Sequence, residues 1–296
     1  MWSIVDAHIS QATGRLFESR DRRSVGGGCI NQCYRVSDQN ASERTESNRA
    51  FFVKVNHANQ VAMFEAEALG LQQMKAAAAI LVPQPICWGV AGESSYLVQE
   101  WLDLDRGGGQ AWAAMGRKLA QLHHFQKATA FGWERDNTIG STPQINSWTS
   151  DWSEFFTKHR IGYQLQLAHQ RGGRFPQQER LLAAIPEILA NHKPQPSLVH
   201  GDLWSGNAAV TTSGEPVIFD PATYWGDREV DLAMTELFGG FPADFYQGYS
   251  EVFPIDAGYQ QRKILYNLYH ILNHFNLFGG GYASQANRMI EQILKF

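Results

Sequence analysis

Residues 197–220, SLVHGDLWSGNAAVTTSGEPVIFD, place two short strand-like runs, SLVHG and PVIFDP, on either side of a segment carrying Asp202, Trp204 and Asn207. The apolar runs call for burial as strands, and the Gly-, Ser- and Asn-rich stretch between them calls for a turn. An exposed β-turn accounts for HGD alone, because Gly, Asp, Ser and Asn are ordinary turn residues. It does not account for Asn207 five residues after Asp202, nor for Asp220 at the end of the next strand.

That spacing matches the loop with which kinases transfer phosphate, H-R-D-x-x-x-x-N, followed by a metal-binding aspartate after the next strand. Phosphoryl transfer needs one carboxylate facing the attacking hydroxyl and separate oxygens holding Mg²⁺ on the phosphates. Asp202 is the expected base, and Asn207 and Asp220 are the expected metal ligands. His200 is expected to fix the loop by hydrogen bonds rather than to move protons.

Upstream, an opening helix precedes the order β, β, β, α, β, β. RRSVGGG and INQCYRVSD flank a glycine turn, AFFVKVN alternates like a strand, and VAMFEAEALGLQQMKAAAA is rich in helix formers. Gly26, Gly27 and Gly28 would let backbone N–H groups approach phosphates, although a glycine hairpin explains them equally well. Lys54 alternates with Phe52, Val53 and Val55 in a strand suited to burial, so its ammonium needs an anionic partner. Glu67, rather than Glu65, is the expected partner; a solvated helix face is the alternative for either. Glu100-Trp101-Leu102 closes the last strand, and by order alone the backbone at Glu100 and Leu102 would meet adenine.

Asp105-Arg106-Gly107-Gly108-Gly109 is a flexible connection and marks the expected boundary. Residues 1–104 form the expected nucleotide-binding lobe, and residues 105–296 the catalytic and substrate-binding lobe. Trp112, Met115, Leu119 and Leu122 then share one helix face. Asp151 with Glu154 resembles a capping box, and Pro186 is expected to bend or end the helix QQERLLAAIPEILA. The fold class expected is α+β and two-lobed like a protein kinase. It has a small antiparallel sheet lobe with one helix and a larger, mainly helical lobe.

A net charge of −4 argues against nucleic acid and anionic membrane as partners. No apolar stretch approaches the roughly 20 residues that span a bilayer, and the N-terminus lacks a signal-peptide core. A cytoplasmic protein, monomer or homodimer, is expected. Cys29, Cys33 and Cys87 are too few and too scattered for a disulfide scaffold or a zinc site. Cys29, in the glycine turn, is either an inert small residue or an oxidisable thiol beside bound phosphates.

HGDLWSGN and FDPATYWGDREVDLAM, with LFGGF after them, resemble the fructosamine kinase (ketosamine kinase) family. That family belongs to the aminoglycoside phosphotransferase and choline kinase-like superfamily. GGGCIN, FVKVN, FEAEALGL, LVQEWLDL, FGWERDNTIGSTPQINSW with DWSEFF, and HFNLFGGGY extend the resemblance over nearly the whole chain. It implies ATP-dependent, Mg²⁺-assisted phosphorylation of a sugar hydroxyl, usually O3, of fructosamines or ribulosamines. The phosphorylated ketosamine then sheds its sugar, which amounts to deglycation and repair. Carried over, Asp202 is the base, Asn207 and Asp220 bind metal, Lys54 binds phosphate and Asp231 braces the catalytic loop.

For the acceptor, Trp204 could pack on a sugar or simply fill space, and Asn273 and His274 could bond sugar hydroxyls or sit satisfied in the core. His123 and His124 are assigned to helix packing rather than to metal. The alternative function is a small-molecule kinase acting on an aminoglycoside or a choline-like amine. Residues 241–296 hold four acids and four bases, which gives no sign of the acidic groove a polycation would want.

Overall fold

The computed structural model describes residues 1–26, 30–38 and 49–296. The chain forms two compact units, one of residues 1–106 with 209–219 and the other of residues 107–208 with 220–296. The first therefore runs slightly past the 104/105 boundary expected from sequence and also takes a later segment.

The first unit opens with α1 (Trp2–Thr13), continues through β1 (Asp21–Val25), β2 (Gln32–Ser37) and β3 (Ala50–His57), and reaches α2 (Val61–Ala76). It then adds β4 (Pro85–Ala91), β5 (Ser94–Glu100) and the short β6 (Leu104–Asp105). The first five strands form an antiparallel sheet in the order β1-β2-β3-β5-β4. Alternation along β3 sorts its side chains between two helices. Phe51, Val53 and Val55 join Val5 and Ile9 of α1, with Val36, Tyr96 and Val98, in one apolar cluster. On the other face Leu97, the cross-strand partner of Lys54, packs with Met63, Phe64 and Ala68 of α2. This unit thus carries the opening helix and the helix between the third and fourth strands, in the order expected from sequence.

The second unit begins with α3 (Gly109–His123), followed by the hairpin β7 (Asn137–Ile139) and β8 (Thr142–Gln144). Next come α4 (Trp152–Phe155), a π-helical stretch over Phe156–Gly162, α5 (Tyr163–Gln170) and α6 (Gln178–Ile188). Asp151 caps α4 by accepting the Glu154 N–H at 2.9 Å. Pro186 does not end α6, which continues to Ile188. Only one hydrogen bond, from the N–H that Pro186 lacks, is forfeited, and Leu181 and Ile185 keep the helix face buried.

After α6 the chain adds β9 (Ser197–Val199), β10 (Ala208–Thr211), β11 (Pro216–Ile218) and β12 (Tyr224–Gly226). β10 pairs with β6 and β11 within the first unit, and β12 pairs antiparallel with β9 within the second. The helices α7 (Glu229–Leu237), α8 (Ala243–Val252), α9 (Tyr259–Phe278) and α10 (Tyr282–Ile293) complete it. α3 and α8 cross at glycines. A Cβ on Gly116 would sit 2.0 Å from the Phe245 carbonyl oxygen, and one on Gly248 2.1 Å from that of Ala113. Met115, Leu119 and Leu122 of α3 are buried, as their spacing predicts. Among the described residues no helix is long and apolar enough to cross a membrane.

Candidate active site

The loop from Val199 to Asn207 is held by its neighbours before any ligand is considered. The Val199↔Tyr224 pairing brings the segment after Asp220 alongside it. Ala222 N–H donates to the His200 carbonyl at 2.8 Å. Gly201 has φ of +81°, and a Cβ there would lie 2.2 Å from the Ala222 carbonyl oxygen, so only glycine fits. From the first turn of α7, Asp231 accepts the N–H of His200 at 2.7 Å and that of Gly201 at 2.8 Å. His123 Nε2 lies 3.1 Å from the same carboxylate, and its Nδ1 lies 2.8 Å from the Tyr249 hydroxyl. Burial pushes the Asp231 carboxyl upward, but the hydrogen bonds and charge around it win and hold it below the ordinary range. His123 is thereby placed in the brace. His124, next to it, stacks on Phe253 with ring centroids 3.9 Å apart.

The Asp202 N–H donates to His200 Nδ1 at 3.2 Å, so the histidine steadies the loop. Asn207 is buried, and its Nδ2 donates to the Asp202 carbonyl at 2.8 Å and reaches Asp202 Oδ2 at 3.3 Å. That commits the amide nitrogen to the loop, so Oδ1 is the atom that Asn207 could offer to a cation. Burial, then the negative charge of Asp220, push the Asp202 carboxyl up to about 7; the Asn207 hydrogen bond opposes them. Asp220 is a non-glycine residue at φ +59°, in the left-handed region. The Asp220 charge thus weighs on Asp202; carboxylate and amide oxygens are hard donors of the kind Mg²⁺ takes, and a cation here would relieve the repulsion between the two acids.

In the first unit Lys54 is 3% exposed and its Nζ donates to Glu67 Oε1 at 2.6 Å. Buried Gln99 donates to the same oxygen at 2.8 Å. Gln99 was missed in the sequence, although a signal existed: it lies two residues after Leu97 in a strand, hence on the face that carries Lys54. Glu100 is exposed at the end of β5, where its N–H donates to the Gln84 carbonyl at 2.8 Å, and Leu102 follows in the connection to β6. Gly26 is exposed, with nothing near where its Cβ would be. Gly27, Gly28 and Cys29, and most of the polar tract after Asp38, lie outside the described residues. Cys33 and Cys87 are buried, and burial pushes the Cys87 thiol up to about 12.

The acceptor candidates separate. Trp204 is 37% exposed, with its ring edge toward Phe238 at 6.5 Å between centroids. Phe238 in turn meets the ring of His274 at 4.8 Å. His274 Nδ1 lies 2.8 Å from the His270 carbonyl oxygen, one helical turn back. Asn273, expected at the acceptor, is instead 2% exposed, with its Oδ1 3.4 Å from the Gln164 amide. On α9 these neighbours differ by about 100°, so one faces the aromatic strip and the other the helix packing.

One more cluster has metal-like composition: His192, Asp227 and Glu229. Their lone pairs are already committed. Asp227 Oδ2 lies 2.7 Å from His192 and accepts the Tyr266 hydroxyl at 2.6 Å, and Arg262 grips both Glu229 oxygens at 2.7 and 2.9 Å. It is an internal ion-pair network.

The chain is 56% identical to a probable ketoamine kinase of Synechocystis sp., over 99% of this chain and 97% of that one. It is 45% identical to a chloroplastic protein-ribulosamine 3-kinase of Arabidopsis thaliana, over 92% of this chain and 82% of that one. The crystal structure of a candidate fructosamine-3-kinase from Haemophilus somnus superposes with a TM-score of 0.91 at 31% identity, covering 99% and 98% of the two chains. At 15% identity a choline kinase of Streptococcus pneumoniae still superposes at 0.63 over 99% and 98%, which shows that the α+β kinase-like fold is shared. The fructosamine kinase family model matches residues 1–296, and the chain belongs to that family.

Proposed function

We propose that the protein is an ATP-dependent kinase that phosphorylates a sugar hydroxyl, O3, of ketosamines such as fructosamines or ribulosamines. The observation that carries this reading is the Asp202–Asn207–Asp220 constellation on a loop braced by Asp231. The names of relatives that match almost the whole chain support the acceptor class.

Asp202 accepts the proton of the attacking hydroxyl, for which a carboxyl raised toward neutrality is well matched. Asn207 Oδ1 and the Asp220 carboxylate hold Mg²⁺, which when bound neutralises charge on the transferring phosphoryl group. In the first unit Lys54, oriented by Glu67 and Gln99, binds phosphate. Gly26 with the glycines after it approaches the phosphates, and the backbone at Glu100 and Leu102 meets adenine. Trp204 offers its exposed face to the sugar, with His274 behind it. Residues 1–104 act as the nucleotide lobe and 105–296 as the catalytic lobe of a cytoplasmic monomer or homodimer. Loss of the phosphorylated sugar completes deglycation.

The test is ADP release with MgATP on fructoselysine, ribuloselysine, an aminoglycoside and choline, with Asp202→Asn as the blank. Turnover confined to the two ketosamines is expected, and their ratio ranks the sugars. Turnover confined to the aminoglycoside or choline overturns the acceptor class and keeps the phosphotransfer chemistry. For Asp202→Asn a loss of roughly 10²–10⁴-fold is expected, the usual worth of a general base; near-normal turnover removes Asp202 from that role.

A further inference from the structure

The stretch 136–146, DNTIGSTPQIN, contributes nothing to the chemistry above, yet it builds a buried polar network in the second unit. Asp136 Oδ1 accepts the Asn146 N–H at 2.8 Å, closing the β7–β8 hairpin. Inside it, Asn137 Oδ1 accepts from Gln144 Nε2 and from Asn146 Nδ2, each at 2.8 Å. Two of these side-chain amides also reach out to one neighbouring segment. Gln144 Nε2 reaches the Ala222 carbonyl at 3.0 Å, and Asn137 Nδ2 reaches the Thr223 carbonyl at 2.9 Å.

The gripping side chains are themselves gripped. Tyr269 of α9 donates its hydroxyl to Gln144 Oε1 at 2.7 Å. Arg160, fully buried in the π-helical stretch, donates to the Ile145 carbonyl at 2.7 Å and to Asn146 Oδ1 at 2.8 Å. Its guanidinium lies 4.0 Å from the centroid of the Tyr224 ring, on the residue after the gripped pair. Local helical irregularity of this kind recurs where a side chain must be aimed.

The target segment needs holding. Asp220 sits at φ +59° and is followed by Pro221. Left-handed backbone is unfavourable for a residue with a side chain, and a following proline narrows its options further. Such a conformation persists only where the surroundings over-determine it. Two residues on, Ala222 is fixed from both sides: its N–H by the His200 carbonyl, its carbonyl by Gln144. Asn137 fixes the next carbonyl.

We infer that Asn137 and Gln144 are positioning residues for Asp220: their carboxamides hold the backbone of residues 222–223 and so keep the Asp220 carboxylate aimed in its strained conformation. This rests on the reading of Asp220 as a metal ligand. Tyr269 and Arg160 act one step further back, by locking the hairpin.

The experiment compares Gln144→Leu, Gln144→Glu and Tyr269→Phe with Asp220→Asn. Gln144→Glu keeps the acceptor for Tyr269 and loses the donors to Ala222 and Asn137. The readouts are Mn²⁺ affinity in the presence of a non-hydrolysable ATP analogue, followed by the electron paramagnetic resonance of free Mn²⁺, the melting temperature, and kcat and KM for a ketosamine. Both Gln144 variants are expected to weaken Mn²⁺ about 10–100-fold, the usual cost of losing a residue that orients a metal ligand. The loss falls on kcat, with the acceptor KM kept, and Tyr269→Phe shows a smaller change in the same direction. Mn²⁺ affinity unchanged in folded Gln144→Glu and Tyr269→Phe, with only melting lowered, overturns the proposal and leaves the hairpin as packing. Mn²⁺ affinity unchanged in Asp220→Asn overturns the metal-ligand reading itself, and the positioning role with it.

Discussion

Asp231 Oδ1 accepts the backbone N–H of Gly201 at 2.8 Å, so a buried carboxylate fixes the peptide that joins His200 to Gly201, just ahead of Asp202. Its second oxygen holds the preceding N–H, of His200. Asp202, the proposed base, is thus held by way of a residue from α7, distant in the chain, that need touch no substrate.

Asp231→Ala leaves those two N–H groups buried without an acceptor, at about 1–3 kcal/mol each. Urea denaturation should show the loss, and turnover should fall with it. An unchanged denaturation midpoint would show that water replaces the carboxylate. Because the Asp231 carboxyl is held low, its contribution is present above the unfolded-state pKa and lost as pH falls through its folded value. The wild-type stability advantage over Asp231→Ala should therefore shrink under acid conditions.

Lys54→Met removes the cation from the face shared with Glu67 and Gln99. A loss of about 10²–10³-fold in kcat is expected, the scale of one electrostatic stabiliser at a phosphoryl group, with the ketosamine KM retained. Initial rates at saturating ATP decide it. A rise in ATP KM alone would make Lys54 a binding residue without a transition-state role.

His192 sets a pH dependence of opposite sign. Burial lowers its pKa, but the hydrogen bond to Asp227 and the charges of Asp227 and Glu229 raise it above the ordinary 6.5. A raised histidine pKa stabilises the fold fully below the unfolded value and loses that contribution as pH rises through the folded value. Melting curves of wild type and His192→Gln should converge as pH rises above the ordinary histidine value of 6.5. A constant difference across the range would mean that packing, not protonation, carries the effect.

Gly116→Ala forces a Cβ against the Phe245 carbonyl, where the available distance is 2.0 Å. The clash is with backbone and cannot be relieved by a rotamer, so α3 and α8 must separate. A destabilisation of about 1–3 kcal/mol is expected, read as a lowered urea midpoint. Retained stability would mean that α8 shifts without loss of packing.

Much of this was legible in one dimension because it depends on short periods. Alternation along AFFVKVN set Lys54 apart from Val53 and Val55, and the structure puts those two valines in the cluster beneath α1, while Phe52, two residues before Lys54, falls on the lysine's own face. The five-residue step from Asp202 to Asn207 spans a single loop, so its hydrogen bonds are local. Asp151 and Glu154 form a cap within one turn. The long stretches shared with the family made the family legible as well.

What the sequence could not supply are the relationships that join distant segments. The β7–β8 hairpin and β12 are three-residue strands, too short for any period to show, and they exist because their partners are already in place. Pro186 reads as a bend or a stop in its helix, and the helix runs past it because burial of Leu181 and Ile185 outweighs one missing hydrogen bond. Asn273 and His274 look equivalent in sequence, and helical rotation sends one into the packing and the other to an aromatic strip. By itself the sequence determined the chemical inventory and the local geometry around Asp202, because neighbours in a chain stay neighbours in space. The family resemblance implied that Asp231 braces that loop, but only the tertiary structure brought Asn137 and Gln144 to the carbonyls of residues 222–223, because a buried polar group takes whichever partner folding brings to it, however far along the chain.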